Sequence, residues 1–140
     1  MTELQNHAVL NLLRVHAPTE FGHGDCVGAD AQAAEMAYGL GIRIMCFPPV
    51  HDGNRAFTSF NHETFPAETY FARNRRIVSW CDLLIGCPPT MERLVNGGTW
   101  YTLDYAKRIK RQTRVCWPNG AVTVEGETVF MDFNLTSSNP

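Results

Sequence analysis

The 140-residue sequence lacks several features that define common protein classes. Charged residues make up 19% of it and the formal net charge is −2, whereas general nucleic-acid binders usually carry a basic excess. No apolar run approaches the length of a membrane-spanning helix, and no signal-peptide pattern is present. We therefore expect neither a membrane partner nor a nucleic-acid partner.

Motifs for metals, cofactors and triad chemistry are also missing. The five cysteines include no CxxC pair, and the five histidines show neither HxxxH nor HExxH spacing, so no metal is expected. An odd number of cysteines without metal spacing favours reduced thiols and a cytoplasmic location. There is no GxGxxG or Walker A sequence and no Ser-His-Asp signature, and we expect no cofactor.

What the sequence does contain is an alternation of helical and strand patterns in a chain with 44% hydrophobic residues. This favours one α/β domain over residues 1–140, with helices on both faces of a Rossmann-like parallel sheet. The predicted helices are 3–16, Asp30 or a neighbour to Gly39, 67–81 and 99–111; the predicted strands are 20–23, 42–47, 82–87 and 113–117. A long loop is predicted over 50–66, and an antiparallel hairpin over 121–125 and 128–133.

The order of the strands can also be predicted. An unfilled gap in the sheet would leave two rows of backbone groups unpaired, at a cost of roughly 1–3 kcal/mol for each group. We therefore expect strand 20–23 to lie directly beside strand 82–87.

A glycine turn follows the first predicted strand and precedes an alanine-rich helix. Gly24 and Gly28 permit a close backbone approach to a ligand, and a helix amino terminus favours an anion. Asp25 and Asp30 could accept hydrogen bonds from ribose hydroxyls, and we expect Asp25 to face the sugar. Helix capping is the alternative for Asp30, and a merely structural turn is the alternative for the whole segment.

A second glycine turn, at Gly97 and Gly98, follows the strand 82–87 and opens another helix. Its backbone, with the Thr99 hydroxyl, is expected to hold phosphate. Trp100 could border a base, although an aromatic residue at a helix start usually belongs to the core. Because parallel strands end at a common edge, both turns are predicted to meet at one crevice.

Arg73 and Asn74 lie on the third predicted helix. A guanidinium near a glycine turn would pair with phosphate, whereas a solvated basic face is the alternative. Asp104 lies one helical turn beyond Trp100 and could point into the same pocket. Its alternative is a surface acid that pairs with Arg108.

Taken together, five segments resemble the SLOG superfamily, which includes Lonely-Guy-type phosphoribohydrolases and DprA-type proteins. They are, in order, His23-Gly24-Asp25-x2-Gly28-Ala29-Asp30, Phe47-Pro48-Pro49, Arg73-Asn74, Asp82-Leu83-Leu84-Ile85-Gly86, and Gly97-Gly98-Thr99-Trp100 with Tyr105-Ala106-Lys107. The chain resembles a small variant without the family's usual first strand. The resemblance implies a Rossmann-like fold, a nucleotide-like ligand and a homodimer.

Two functions follow from this resemblance. The first is binding of a nucleotide or nucleotide-derived ligand, in a sensor or accessory role such as that of a mobile-element or phage protein. The alternative is an enzyme that cleaves the N-glycosidic bond of a nucleoside monophosphate. For that alternative Arg73 matches the family's arginine, and Asp104 stands in for its glutamate, so these two residues are the catalytic candidates.

Overall fold

A computed structural model describes residues 1–93 and 97–126 and has the predicted α/β architecture. Helices and strands alternate along most of the chain, as the hydrophobic pattern indicates. The elements are α1 Glu3–His16, β1 Glu20–His23, α2 Ala29–Gly39, β2 Arg43–Cys46, β3 Glu63–Thr64, α3 Tyr70–Trp80, β4 Leu83–Gly86, α4 Gly98–Arg108, β5 Gln112–Cys116 and β6 Val122–Glu125.

The described strands form two three-stranded sheets. One has the order β1-β2-β3 and is entirely parallel, with Glu20 opposite Arg43 and Met45 opposite Glu63. The other has the order β4-β5-β6, in which β4 and β5 are parallel and β6 returns antiparallel to β5. The α/β class is therefore confirmed, and the antiparallel hairpin in the described residues is formed by β5 and β6 rather than by the predicted strands 121–125 and 128–133. The predicted hairpin strand 128–133 lies outside the described residues.

The predicted pairing of strand 20–23 with strand 82–87 is wrong. Among the described strands, β1 pairs only with β2, and β4 pairs only with β5. The facing edges of β1 and β4 instead line a common cleft of about 720 Å³. The backbone N–H and C=O groups on both edges open onto this cleft. Water can therefore hydrogen-bond to them, and the free-energy cost of unpaired backbone groups, on which the prediction depended, is avoided.

Helices cover both faces of the strands and form the expected three layers. On one face α1 and α2 pack with Ile44 and Cys116, whereas on the other face α3 and α4 pack with Leu84 and Val115. Alternate residues of a strand point to opposite faces, which explains how β5 supplies Val115 to one cluster and Cys116 to the other.

Helix α1 connects the two sheets. The buried Gln5 side chain donates from Nε2 to the carbonyl oxygens of Pro88, just after β4, and Cys116, at the end of β5, at 2.7 and 2.9 Å. The same helix packs its apolar face, which includes Val9 and Leu13, against α2 and the strands. None of the helices within the described ranges has the length and apolar character needed to span a bilayer.

Candidate functional site

The cleft between the two sheets has an apolar interior and a polar mouth. Its interior is walled by β1 and β4, with Val9, Leu12 and Leu13 of α1 on one side and Ile77 and Trp80 of α3 on the other. The mouth lies at the carboxyl ends of β1 and β4, the edge at which parallel α/β sheets bind ligands. The mouth is lined by Gly24, Cys26, Asp30, Tyr70, Arg73, Asn74, Gly98 and Thr99.

Two helix amino termini open onto this mouth. Helix α2 is preceded by Gly28, whose φ of 94° is in the left-handed region that favours glycine, and helix α4 is preceded by Gly97. Neither helix has a side-chain hydrogen bond at its cap position. The first backbone N–H groups of a helix have no partner within the helix, and no described residue outside the helix accepts a hydrogen bond from Gly98 or Thr99 N–H.

Arg73 is buried at the mouth, with only 2% of its surface exposed. Its Nη1 atom donates to the carbonyl oxygens of Gly24, after β1, and Phe47, after β2. Its Nε atom donates to Asn74 Oδ1 at 2.7 Å, and Nη2 contacts the Cys26 sulfur at 3.5 Å. The alternative of a solvated basic face is therefore wrong for this residue.

The positive charge of Arg73 has no carboxylate partner. Six ion pairs join side chains of the described residues, and none of them includes Arg73. Burial of an unpaired charge is costly. The mouth of the cleft therefore holds a buried cation that no described carboxylate contacts directly, although the Asp30 carboxylate lies nearby: a Cβ at Gly24 would lie 2.5 Å from Arg73 Nη1 and 2.9 Å from Asp30 Oδ2.

Asp30 organises the turn between β1 and α2. Its Oδ2 atom accepts hydrogen bonds from the backbone N–H groups of Gly24 and Cys26, at 2.9 and 3.3 Å. Gly24 is required here, since a Cβ at this position would lie 2.5 Å from Arg73 Nη1. Asp30 thus stabilises the turn and lines the mouth, but it does not cap α2, whose cap residue is Gly28 and has no side-chain hydrogen bond.

The structure places Asp25 away from the cleft. Its buried carboxylate accepts hydrogen bonds from Arg55 Nε at 2.8 Å, from the backbone N–H groups of Phe57 and Thr58, and from the Thr58 hydroxyl. Burial raises the pKa of Asp25, but the hydrogen bonds from Thr58 and Arg55 outweigh it and hold this pKa below its ordinary value. Asp25 therefore fastens the long loop, and it does not reach a sugar in the cleft.

His23, Asp25 and Cys46 place three potential metal ligands within 4.8 Å of one another. Two members of this cluster already have partners: His23 Nε2 bonds Asn61 Oδ1 at 2.8 Å, His23 Nδ1 accepts from the Asp25 N–H, and the Asp25 carboxylate is held by Arg55 and Thr58. Burial raises the pKa of the Cys46 thiol to about 12. The cluster is best explained as part of the network that holds the loop.

Two other predicted site residues lie outside the cleft lining. Trp100 belongs to the core formed with Val78 and Leu103. This agrees with the alternative that an aromatic residue at a helix start is a core residue. Asp104 is exposed and forms an ion pair with Arg93, not with Arg108 as its alternative supposed. Neither residue is among those lining the cleft, and the same is true of Gly28 and Gly97, which precede the helices. A catalytic role for Asp104 has no geometric support in the described residues.

The sequence reasoning missed Tyr70 and Cys26 as mouth residues. Tyr70 begins α3, three residues before Arg73, and its ring lies 5.1 Å from the Arg73 guanidinium carbon. Burial raises the pKa of Tyr70, which keeps its hydroxyl protonated as a hydrogen-bond donor. Its spacing from Arg73 on one helix face was the signal that could have found it.

The comparisons with known proteins support the fold. No protein-family model matches the chain, and no curated protein matches it. Among solved structures, the chain is similar to the "Putative molybdenum carrier protein" from Syntrophus aciditrophicus SB, with 23% sequence identity and a TM-score of 0.56. The similarity covers 71% of this chain and 63% of that protein. This likeness shows a shared Rossmann-like fold.

Proposed function

We propose that the mouth of the cleft binds a nucleotide or a nucleotide-derived ligand through its phosphate, in a sensor or accessory role. The single observation that carries the proposal is the buried Arg73 guanidinium, which has no carboxylate partner among the described residues. An anion at the mouth would compensate this charge in surroundings where water screens it poorly. Nη2 carries two N–H groups and contacts the Cys26 sulfur, so we assign its second N–H group to the anion.

The amino end of α4 supports a phosphate position opposite Arg73. Gly98 and Thr99 line the same cleft as Arg73 and Asn74. Backbone donors at a helix amino terminus and a guanidinium are the usual combination for phosphate. The ligand-binding residues in this proposal are Gly24, Asp30, Arg73, Asn74, Gly98 and Thr99, while Gly28 and Gly97 set the backbone that precedes the helices.

Membership of the SLOG superfamily is part of the proposal. It is supported by the five ordered sequence segments and by a Rossmann-like fold that places two of the glycine turns at one cleft. The Syntrophus protein, which has the same fold, is described as a molybdenum carrier. Molybdate, an oxyanion like phosphate, is therefore the competing ligand to include in every binding experiment.

Isothermal titration calorimetry tests the proposal. The protein is titrated with nucleoside monophosphates, the matching nucleosides, inorganic phosphate and molybdate. We expect saturable binding of at least one monophosphate and weaker binding of its nucleoside, because the phosphate supplies the charge that pairs with Arg73. Absence of binding for every monophosphate, or equal affinity for nucleoside and monophosphate, would contradict the proposal, and tight binding of molybdate alone would replace it with oxyanion carriage.

The alternative function, cleavage of an N-glycosidic bond, requires a carboxylate that stabilises the developing charge on the sugar. Asp30 is the carboxylate at the mouth, and one of its oxygens already holds the turn before α2. Chromatography of the same monophosphates after incubation separates the two functions. Release of free base that is lost in an Asp30→Asn variant would favour the enzyme, whereas intact nucleotide would favour the binding module.

We also propose that the protein is a cytoplasmic homodimer. The surface that we assign to the dimer is an aromatic patch of Tyr70, Phe71 and Tyr101 on α3 and α4. Phe71 has 51% of its surface exposed, and its ring centre lies 4.3 Å from that of Tyr101. Exposed aromatic side chains of this kind are enriched in protein–protein interfaces.

A further inference from the structure

Two of the five cysteines are neighbours at the carboxyl ends of β4 and β5. In the parallel register Gly86 lies opposite Val115, so Cys87 and Cys116 are the next residues along the two adjacent strands. Neighbouring strands lie about 4.8 Å apart, and a disulfide joins residues whose Cα atoms are roughly 4.4–6.8 Å apart. The spacing of the strands therefore suits a bond between these two cysteines.

The side chains of both cysteines point to the same face of the sheet. A Cβ at Gly86 would lie 2.7 Å from Leu103 Cδ2, and Val115 packs in the same core as Leu103, so residues 86 and 115 face α4. Alternate residues of a strand point to opposite faces. Cys87 and Cys116 therefore both point to the α1 face, where Cys87 packs against the apolar cluster that contains Cys116.

The two thiols interact with each other. A hydrogen bond from the Cys87 thiol lowers the pKa of Cys116, although burial acts in the opposite direction. The same hydrogen bond, together with burial, raises the pKa of Cys87. The pair therefore loses its first proton more readily than an isolated buried thiol such as Cys46, whose pKa burial raises to about 12. The remaining proton is shared between the two sulfur atoms.

The two cysteines differ in their access to the cleft. Cys116 is completely buried, whereas Cys87 is half-buried and lines the cleft. The Gln5 side chain fixes the backbone beside both of them, because its Nε2 atom donates to the carbonyl oxygens of Pro88 and Cys116. A small oxidant in the cleft would therefore meet the Cys87 sulfur first, with the Cys116 sulfur held directly behind it.

We propose that Cys87 and Cys116 are a redox site, at which a hydroperoxide such as hydrogen peroxide forms a reversible disulfide within the chain. The four cysteines other than Cys116 include one, Cys87, that combines access from the cleft with a second thiol beside it on the neighbouring strand. All five cysteines are free thiols in the structure, which is the reduced state of this site. Disulfides in reducing compartments are usually transient and redox-sensing.

The reaction has two steps. In the first, the shared proton moves to Cys116, and the Cys87 thiolate attacks one peroxide oxygen. The O–O bond breaks, Cys87 becomes a sulfenic acid, and the hydroxide that leaves takes up the proton that the pair had released. In the second, the Cys116 sulfur attacks the Cys87 sulfur, the S–O bond breaks, and water leaves with the Cys116 proton. Two thiols are thereby oxidised, one hydrogen peroxide is reduced to two waters, and a thiol reductant reverses the modification by exchange.

Mass spectrometry of the full chain tests this inference. The folded protein is treated with hydrogen peroxide, the excess is removed with catalase, and the remaining free thiols are alkylated. We expect an intact mass lower by two hydrogen atoms before alkylation, and alkylation of three cysteines instead of five. Trypsin should then release residues 77–93 joined to residues 115–140, and dithiothreitol should separate them.

Cysteine variants identify the pair. Cys81 lies in the same tryptic peptide as Cys87, so Cys81→Ser is the matched control and should form the linkage as the original chain does. Cys87→Ser and Cys87→Ala should both abolish it, and circular dichroism verifies that each variant is folded. Oxidation of these two variants to the same linked product would overturn the inference.

The other outcomes also decide the matter. A disulfide between any other two cysteines, a disulfide between two copies of the chain, or addition of oxygen without a linkage would overturn the inference. The same holds if all five thiols remain free at a peroxide concentration that oxidises a small thiol in the same solution. Calorimetry of nucleotide binding by the reduced protein is a separate readout, so failure here leaves the ligand site standing.

Discussion

Arg73 of α3 donates a hydrogen bond to the carbonyl oxygen of Gly24, the residue that follows β1. The same Nη1 atom donates to Phe47, so one guanidinium joins the ends of β1 and β2 to α3. It also contacts Cys26 in the turn before α2. The cation that the proposal assigns to a ligand is therefore also a structural group, and stability and binding are coupled at this residue.

The first prediction concerns this double role. In an Arg73→Lys variant the charge is kept, but a single ammonium cannot replace the separate hydrogen bonds from Nε to Asn74 and from Nη2 to Cys26, and we expect the free energy of unfolding to fall by about 1–3 kcal/mol. Urea denaturation measures the loss. Arg75→Ala, an exposed change on the same helix whose side chain bonds the Tyr101 hydroxyl, is the matched control and should change stability by less than about 0.5 kcal/mol. An unchanged midpoint for Arg73→Lys would show that these hydrogen bonds do not hold the turn.

The second prediction concerns pH. Because the pKa of Asp25 is lowered in the folded protein, its contribution to stability is present above the ordinary value of 3.8 and is lost as the pH falls through the lowered value. An Asp25→Asn variant should lose about 2–3 kcal/mol at neutral pH and show a flatter decline in stability below about pH 4. Urea midpoints at several pH values measure both effects.

The control for that experiment is Asp52→Asn. Asp52 pairs with the same Arg55 at 3.8 Å, but its side chain is 70% exposed, and exposed pairs contribute little. If both variants behave alike, the buried network around Asp25 does not stabilise the loop as the structure indicates.

The third prediction concerns the close contact between Gly98 and Tyr70. A Cβ at Gly98 would lie 2.0 Å from the Tyr70 hydroxyl oxygen and 2.8 Å from its Cζ atom, so Gly98→Ala should destabilise the protein by about 1–3 kcal/mol. The Tyr70→Phe change removes the nearest atom and should recover part of this loss in the double variant.

Gly97→Ala provides the comparison for Gly98→Ala. A Cβ at Gly97 meets no described atom within 4 Å, and its φ of −175° is extended backbone open to any residue. We expect this change to be close to neutral. If Tyr70→Phe recovers none of the stability that Gly98→Ala loses, the double-mutant cycle shows that the two residues are not in contact.

The fourth prediction concerns assembly. Light scattering should report a dimer of the original chain at micromolar concentration and a shift toward monomer in a Phe71→Glu variant, because a charge would be placed in the aromatic patch. Val15→Glu changes another exposed apolar residue, on α1, where 69% of the surface is exposed, and should leave the dimer intact. A monomeric original chain would contradict the proposed assembly.

Much of the fold could be predicted, because each helix and strand is encoded by local periodicity and by the glycine and proline residues that end it. The separation of β1 from β4 could not be predicted, because local sequence patterns do not show that α1 and α3 hold the two strand edges apart. Arg73 was predicted to be a site residue, and that role stays a prediction; its burial could not be predicted, because it depends on the carbonyl groups of Gly24 and Phe47, far away in the sequence. The position of the Asp25 carboxylate could not be predicted, because its hydrogen-bond partners come from a loop that has no periodic sequence pattern.

The central claim is that the amino end of α4 and Arg73 hold a phosphate at one mouth. The most direct measurement follows the backbone amide resonances of Gly98 and Thr99 by NMR while a nucleoside monophosphate is added at constant ionic strength. Both resonances should shift in a saturable manner, and the matching nucleoside should move them much less. If they remain fixed while the nucleotide moves resonances elsewhere, or if no resonance moves, the phosphate site proposed here is contradicted.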